Sequence, residues 1–332
     1  MLKVGLLGAG RIGQIHAANI AAHPRSTLAA VADVATDAAD ALARRFDART
    51  SDTARLIADE SIKAVLIATS TDTHSELIEA ATAAGKAVLC EKPVDLDLAR
   101  ARKCLATATA NGQPVMIGFN RRFDPNFARM KAALDAGEIG KAELLSIASY
   151  DPSPPPLPYI EVSGGLFRDM SIHDFDMAQW LMGGPPETVT ALGSSLVDAA
   201  IGRAGDVDTA VITLSYADGR IALVRNSRRA VYGYDQRVEL LGSEGLLEVG
   251  NVYEHTLRKS TASGVVGAKP THFFLERYMS AYAVEWAAFV DALAEGTSPP
   301  VTLADGVAAL AVAEAATESA RTGHPVELHG VN

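Results

Sequence analysis

A chain of 332 residues suggests two domains rather than one, and a hydrophobic share of 48% is ample for a large core. The net charge of −10 argues against a nucleic-acid partner, because the only basic clusters are short pairs such as Arg44-Arg45, Arg121-Arg122 and Arg228-Arg229. The two cysteines, Cys90 and Cys104, make neither a disulfide framework nor a zinc site. No run of about 18 apolar residues could span a bilayer. The chain opens on a strand and a glycine turn with no signal-peptide layout, so a soluble cytoplasmic protein is expected.

Leu2 to Leu7 is a short apolar run of the kind buried in a parallel sheet. It leads into Gly8-Ala9-Gly10-Arg11-Ile12-Gly13 and an alanine-rich helix to about Ala22. This is a G-x-G-x-x-G pattern between a strand and a helix, where a dinucleotide site requires it. Gly8 permits the tight turn, Gly10 lets the backbone approach a pyrophosphate, and Gly13 allows close helix–strand packing. The helix N-terminus then offers free N–H groups to phosphate. Thr27 to Asp33 reads as a second strand, and Asp33 ends it 20 residues after Gly13. An acid there accepts from ribose hydroxyls and repels a 2′-phosphate. No arginine follows at once, so NAD is favoured over NADP. The bland alternative is a glycine turn with a helix-capping Asp and no ligand.

Strand–helix alternation continues. Helix is expected over Ala38 to Phe46, Ser75 to Ala84 and Leu96 to Ala110. Strand is expected over Ala64 to Ala68, Ala87 to Cys90 and Val115 to Gly118. Such units predict a doubly wound parallel sheet, with ligands at the carboxyl ends of its strands. Those ends collect Gly8, Asp33, the polar turn from Thr69 and Ser70 to His74, Glu91-Lys92, and Asn120-Arg121-Arg122. Lys92 precedes Pro93, which restricts it to extended conformations. It is either a solvated strand-end lysine or a cation that binds a substrate hydroxyl and disfavours protonation of a nearby histidine.

After Asn120 the pattern changes. Pro125 to Ala136 reads as a helix and Lys141 to Tyr150 as a strand, followed by a Pro/Gly-rich loop from Ser153 to Gly165. The next helix carries Met170, Phe175, Met177, Trp180 and Leu181, in a mixed pattern rather than a clean 3.6 period. Asp169 and His173 stand four residues apart on one face of it. A carboxylate beside an imidazole can orient the ring and stabilise its charged form, which makes a proton-transfer device. A plain surface pair or cap is the structural alternative. Asp169, Asp174, Asp176 and His173 match no standard metal spacing, so no metal is expected.

From Glu187 the chain is mostly strands. Thr188 to Leu196 is one, Thr209 to Tyr216 pairs with Arg220 to Ser227, Gln236 to Leu241 pairs with Leu246 to Val249, and His255 to Thr261 is a further candidate. These make an open, largely antiparallel sheet with few helices to cover its far face, so a homo-oligomer is expected. Helices over His272 to Ala294 and Leu303 to Thr322 close the chain. No chemistry attaches to His255, His272, His324 or His329. The expected fold is α/β: a Rossmann domain over 1–120, then an α+β domain over 121–332, whose last helices can pack back on the first.

Three blocks carry a resemblance: Gly8 to Gly13, Glu91-Lys92-Pro93, and the helix with Asp169 and His173. Over its full length the chain resembles the glucose–fructose oxidoreductase, inositol dehydrogenase and rhizopine-catabolism family. The stretches Gly118 to Asp124, Gly164 to Asp176 and Tyr232 to Arg237 make it most similar to the inositol 2-dehydrogenases. The resemblance implies NAD-dependent oxidation of myo-inositol to 2-keto-myo-inositol, in inositol catabolism, by a homotetramer. It makes Lys92, Asp169 and His173 the catalytic triad, with His173 as general base. Arg122, Asp151 and one of Tyr232 or Tyr234 become candidates for substrate hydroxyls, and Arg11, Ile12, Thr69, Ser70, His74, Glu91 and Asn120 join the cofactor set. Other inositols or a pyranose sugar, an NAD-dependent glycosidase, and an NAD-sensing binding protein are the rival readings.

Overall fold

The first unit comprises Met1–Phe123 with Ser280–Leu310. Its longer strands are mostly apolar runs, because both faces of a parallel sheet are covered. The strands are β1 (Leu2–Leu7), β2 (Ser26–Ala32), β3 (Arg49–Thr50), β4 (Ala64–Ile67), β5 (Ala87–Cys90) and β6 (Val115–Ile117). All pairs run parallel, in the order β3-β2-β1-β4-β5-β6, which is the doubly wound dinucleotide-binding arrangement. The connecting helices are α1 (Arg11–Ala22), α2 (Thr36–Arg45), α3 (Thr53–Ala58), α4 (His74–Ala83) and α5 (Leu98–Asn111). Two elements, β3 and α3, carry no sequence signal. One is two residues long, and the other is a short helix started by Asp52, whose carboxylate accepts from the Arg55 N–H at 2.8 Å. Both thiols, Cys90 and Cys104, are fully buried here.

The computed structural model describes residues 1–328, and His329 lies outside the described residues. The second unit comprises Asp124–Met279 with the chain from Ala311 on. It holds β7 (Ala142–Tyr150), β8 (Thr188–Ser194), β9 (Thr209–Ser215), β10 (Ile221–Ser227), β11 (Asp235–Gly242), β12 (Gly245–Val249), β13 (Arg258–Thr261), β14 (Gly264–Gly267) and β15 (Val326–Glu327). Seven form one sheet, ordered β12-β11-β7-β10-β9-β8-β15. Only β7 and β10 pair parallel in it; the other neighbours are antiparallel. Burial alternates along β9 and β11, the mark of a sheet packed on one face.

The helices of this part of the chain are α6 (Pro125–Asp135), α7 (Leu157–Ile160), α8 (Ile172–Met182), α9 (Ala199–Arg203), α10 (Phe274–Glu295) and α11 (Leu303–Thr322). The last two each run through a boundary between the units.

Two expectations need correction. The strand expected over Thr188 to Leu196 stops at Ser194, because the next turn closes over buried Asp208. The carboxylate of Asp208 accepts from the backbone N–H groups of Leu196, Val197 and Asp198 at 2.9, 2.9 and 3.0 Å. The strand expected over His255 to Thr261 is confined to β13, which pairs with β14 as a separate ribbon. Every residue of that ribbon is exposed, so burial imposed no alternation to read.

Candidate active site

In the first unit the glycine turn is dictated by contact. A Cβ on Gly8, whose φ is +101°, would stand 2.3 Å from the Ala68 carbonyl oxygen, and one on Gly13 would stand 2.0 Å from that of Gly8. The turn after β1 therefore lies against both the end of β4 and the first turn of α1. Around Gly10 the situation is reversed: nothing lies within 4 Å of where its Cβ would be. Gly10 caps α1 without a side-chain bond, and the first turn, with Arg11, Ile12 and Gly13, holds no acid. An uncapped helix N-terminus with open approach fits the pyrophosphate of a dinucleotide. Asp33, just past β2, accepts from the Ala9 N–H at 2.6 Å and from the Ala35 N–H at 2.7 Å. Each carboxylate oxygen keeps a further lone pair for a ribose hydroxyl.

The other strand ends meet the same edge of the parallel sheet. After β4, the Thr69 and Thr73 hydroxyls are 2.7 Å apart, and Thr73 donates to the Ser70 carbonyl at 2.8 Å. His74 is buried, with Nδ1 2.7 Å from the Pro93 carbonyl oxygen and Nε2 3.2 Å from that of Thr69. Burial lowers its pKa, and a neutral ring has a single N–H, which the nearer Pro93 carbonyl accepts. His74 thus fastens the turn after β4 to the Glu91-Lys92-Pro93 segment, whose Lys92–Pro93 peptide is cis. Asn120 is buried in a short 3-10 turn with Arg121. Arg122 Nη2 donates to Asp305 at 3.2 Å and its Nη1 to the Pro300 carbonyl at 3.5 Å.

Glu91 spends its carboxylate on α1. Oε1 lies 2.7 Å from Nε2 of fully buried His16, whose ring stands edge-on to Tyr282. The same unit hides Glu285, which is 0% exposed and has no hydrogen-bond partner on either oxygen. Burial first, then the Glu91 charge, pushes the Glu285 carboxyl well above its ordinary range. Sequence reasoning missed this group. The signal was there, because Tyr282, Glu285 and Phe289 fall at helical i, i+3 and i+7 spacing on one apolar stripe.

In the second unit the chain enters the Asp169/His173 segment through Gly164 and Gly165, with φ of +82° and +84°. Phe167–Ser171 is a π-helical turn, continued by α8. The extra residue of a π turn shifts helical phase, and α8 is buried on nearly every side. Both facts account for the mixed apolar pattern. From Phe167 to Met182 only Arg168, Asp169, His173 and Trp180 are not buried. Asp169, His173 and Trp180 follow helical spacing, so one open stripe carries the carboxylate and the imidazole.

Asp169 is held on two sides. Tyr159 donates its hydroxyl to Oδ1 at 2.9 Å, and Arg228, 1% exposed, donates from Nη1 to Oδ2 at 3.2 Å. Asp174 does something else. Ser149 donates to its Oδ1 at 2.6 Å and Asn226 to its Oδ2 at 2.7 Å, while Ser171 donates to Asn226 Oδ1 at 2.6 Å. All four residues are buried, so Asp174 docks the helix onto β7 and β10. Among the described residues no group of three or more His, Cys, Asp or Glu could hold a metal ion.

Strand register gathers the remaining candidates. Tyr150 pairs with both Ser227 and Asp235, so the ends of β7 and β10 and the start of β11 lie side by side. Asp151 follows there, its backbone bonded to Ser227 and Ala230. Tyr232, half-buried, donates to Asp235 at 2.6 Å, and partial burial and that carboxylate push its pKa to about 12. Tyr234 is buried edge-on to Tyr278.

A glycine turn open to phosphate, on a doubly wound sheet, defines the class: a dinucleotide-binding protein. The chain belongs to the GFO/IDH/MocA oxidoreductase family, matching its NAD-binding Rossmann fold over residues 2–119 and its C-terminal alpha/beta domain over 131–328. Its cofactor is NAD. It is 47% identical to the inositol 2-dehydrogenase of Rhizobium meliloti, over 96% of each chain. It is 44% identical to the myo-inositol 2-dehydrogenase of Thermotoga maritima, over 99% of each. The crystal structure of a myo-inositol dehydrogenase from Corynebacterium glutamicum superposes with a TM-score of 0.96, at 42% identity over 99% of each chain. No helix among the described residues is long and apolar enough to cross a membrane.

The raised pKa of Glu285 has a thermodynamic consequence. Above the ordinary glutamate value of 4.5 the unfolded chain releases this proton while the folded one retains it, so stability falls as pH rises. Glu285→Gln keeps the shape and removes that loss. Thermal melts should show the variant at least as stable as the parent at pH 8, with its relative advantage shrinking toward pH 4.5. A variant that melts lower at pH 8 would show that Glu285 is ionised in the native state.

Proposed function

We propose that the protein is an NAD-dependent inositol 2-dehydrogenase, oxidising myo-inositol to 2-keto-myo-inositol. The observation that carries this reading is the 47% identity, over 96% of the chain, to an inositol 2-dehydrogenase. The open stripe bearing Asp169 and His173 supports it with chemistry. When bound, NAD supplies a hydride acceptor, the nicotinamide C4. The backbone N–H groups of Arg11, Ile12 and Gly13 would hold its pyrophosphate, Gly10 leaves room for it, and Asp33 would accept from the ribose hydroxyls. The Asp33 carboxylate also disfavours a 2′-phosphate, hence NAD over NADP. Thr69, Ser70, Glu91 and Asn120 line the remaining strand ends. His74, bonded to the Pro93 carbonyl, serves by holding that loop in place.

On this reading His173 takes the hydroxyl proton as hydride leaves the same carbon. Asp169 orients the ring and stabilises the imidazolium. Lys92 serves as the cation that binds the substrate hydroxyl. Arg122, Asp151 and Tyr232 or Tyr234 read the other hydroxyls. A polyol that leaves such a group unpaired binds poorly, which gives selectivity.

The same proposal makes the protein a cytoplasmic homotetramer. Register aligns Leu246, Leu241, Leu144 and Ile221 in one row across four strands, exposed by 44, 41, 41 and 43%. Such an apolar row on an open sheet face suits a second copy of the chain.

The first test is NADH absorbance with NAD or NADP and a panel of myo-, scyllo- and chiro-inositol and glucose. A rate with myo-inositol and NAD well above the others is expected, and a sugar-only rate would discard the substrate. His173→Ala should lower turnover by about 10²-fold or more while NAD affinity stays level; lost NAD binding would displace His173 from its role. Light scattering should give four times the chain mass, and Leu144→Glu with Leu241→Glu should reduce it with circular dichroism unchanged. A monomeric parent protein would end the tetramer reading.

A further inference from the structure

The buried guanidinium behind Asp169 has no place in the chemistry described above. Arg228 follows β10, with its backbone N–H bonded to the Asp208 carbonyl at 2.8 Å. Its side chain is 1% exposed. Nη1 donates to Asp169 Oδ2 at 3.2 Å, and Nη2 stands 3.9 Å from Asp206 Oδ2. The second approach is an ion pair without a hydrogen bond. Asp206 is itself fixed, because its Oδ1 accepts from the Leu166 N–H at 2.9 Å. Gly165 makes that approach possible, since a Cβ there would meet Asp206 Oδ1 at 2.8 Å. The same residue that opens the π turn therefore admits the second carboxylate.

One cation faces two acids in this cluster. If Arg228 stood alone against Asp169, the pair would be neutral, and a proton arriving on His173 would meet little attraction. Asp206 restores a net charge of one negative unit. Uptake of a proton by His173 then takes the group from negative to neutral instead of from neutral to positive. Buried charges interact strongly because little water screens them. We propose that Arg228 and Asp206 are positioning residues: Arg228 locks the Asp169 carboxylate in place, and Asp206 supplies the charge that leaves Asp169 effective toward His173. The inference rests on the general-base reading of His173.

The groups that meet Asp169, directly or through Arg228, are Tyr159 from α7, Arg228 after β10 and Asp206 after α9, while Asp151 follows β7 and Arg168 lies in the π turn itself. Arg168 donates to Thr317 at 3.3 Å. Only two of these change in the test, and they change in opposite senses. Asp206→Asn removes a negative charge, disfavours the imidazolium, and lowers the His173 pKa. Arg228→Gln removes a positive charge and raises it.

The experiment is a histidine NMR titration of the full-length protein, with the His173 signal identified by its loss in His173→Ala. Shifts of about half a pH unit or more, in those opposite directions, are expected. The acid limb of kcat/KM should move the same way, down for Asp206→Asn and up for Arg228→Gln. A residue that merely supports the fold would move both variants alike or not at all, and either result overturns the proposal. Should Arg228→Gln not fold, Asp206→Asn decides alone. The titration needs no turnover. A protein inactive on every polyol, with the His173 pKa still shifting as stated, would sink the enzymatic reading and leave the charge cluster standing.

Discussion

No side chain fits where β1, β4 and α1 come together. The separations of 2.3 Å at Gly8 and 2.0 Å at Gly13 leave space for a hydrogen and nothing larger. This constraint sets the edge of the first unit. Because the backbone turns so tightly, α1 starts immediately beyond the strand, with its first N–H groups pointing outward. Because Ala9 lies in that turn, its N–H reaches Asp33, and the end of β2 is tied to the same place. The glycine turn, the first turn of α1 and the Asp33 carboxylate are thus brought together by main-chain contacts and one side-chain bond.

The second unit solves a different problem, how to aim a helix that is buried nearly all round. Apolar packing alone is tolerant of rotation, whereas buried polar groups demand their partners. Asp174 uses both oxygens against β7 and β10, so a turn of α8 in either direction would leave a buried carboxylate unpaired. Asp124 and Arg277 act likewise elsewhere in the unit. Both are buried, the guanidinium grips both carboxylate oxygens, and Asp124 also caps α6 through the Asn126 and Phe127 N–H groups. Removing one member of such a pair costs about 3–5 kcal/mol, because the other is left charged in a dry site. The open stripe with Asp169 and His173 is what remains once these fixed bonds have set the angle.

The fold was legible wherever burial imposed a period. Unbroken apolar runs gave the parallel strands, turn residues at Ala217-Asp218-Gly219 and Gly242 to Gly245 gave the pairs β9–β10 and β11–β12, and the glycine spacing located α1. The exposed β13–β14 ribbon, the two-residue β3 and the six-residue α3 leave no such mark. At the site, Asp169 and His173 stood out by spacing, but the π turn beneath them did not, since one inserted residue has no compositional signature. Asp174 had no role assigned from sequence and is a docking group, because only tertiary structure reveals Ser149 and Asn226 across from it. Arg228 and Asp206 lie 59 and 37 residues from Asp169 along the chain, too far for any local pattern to join them.

The two thiols carry one more consequence. Cys90 is wholly buried, and burial raises its pKa well above that of a free thiol, while Cys104 is pushed to about 11. The thiolate is the reactive form, so neither sulfur meets alkylating agents or oxidants at neutral pH while the parallel sheet is closed. Both become ordinary cysteines the moment it opens. The first unit therefore has a built-in chemical clock: the rate at which a thiol reagent consumes Cys90 and Cys104 counts its opening events, independently of any change in the second.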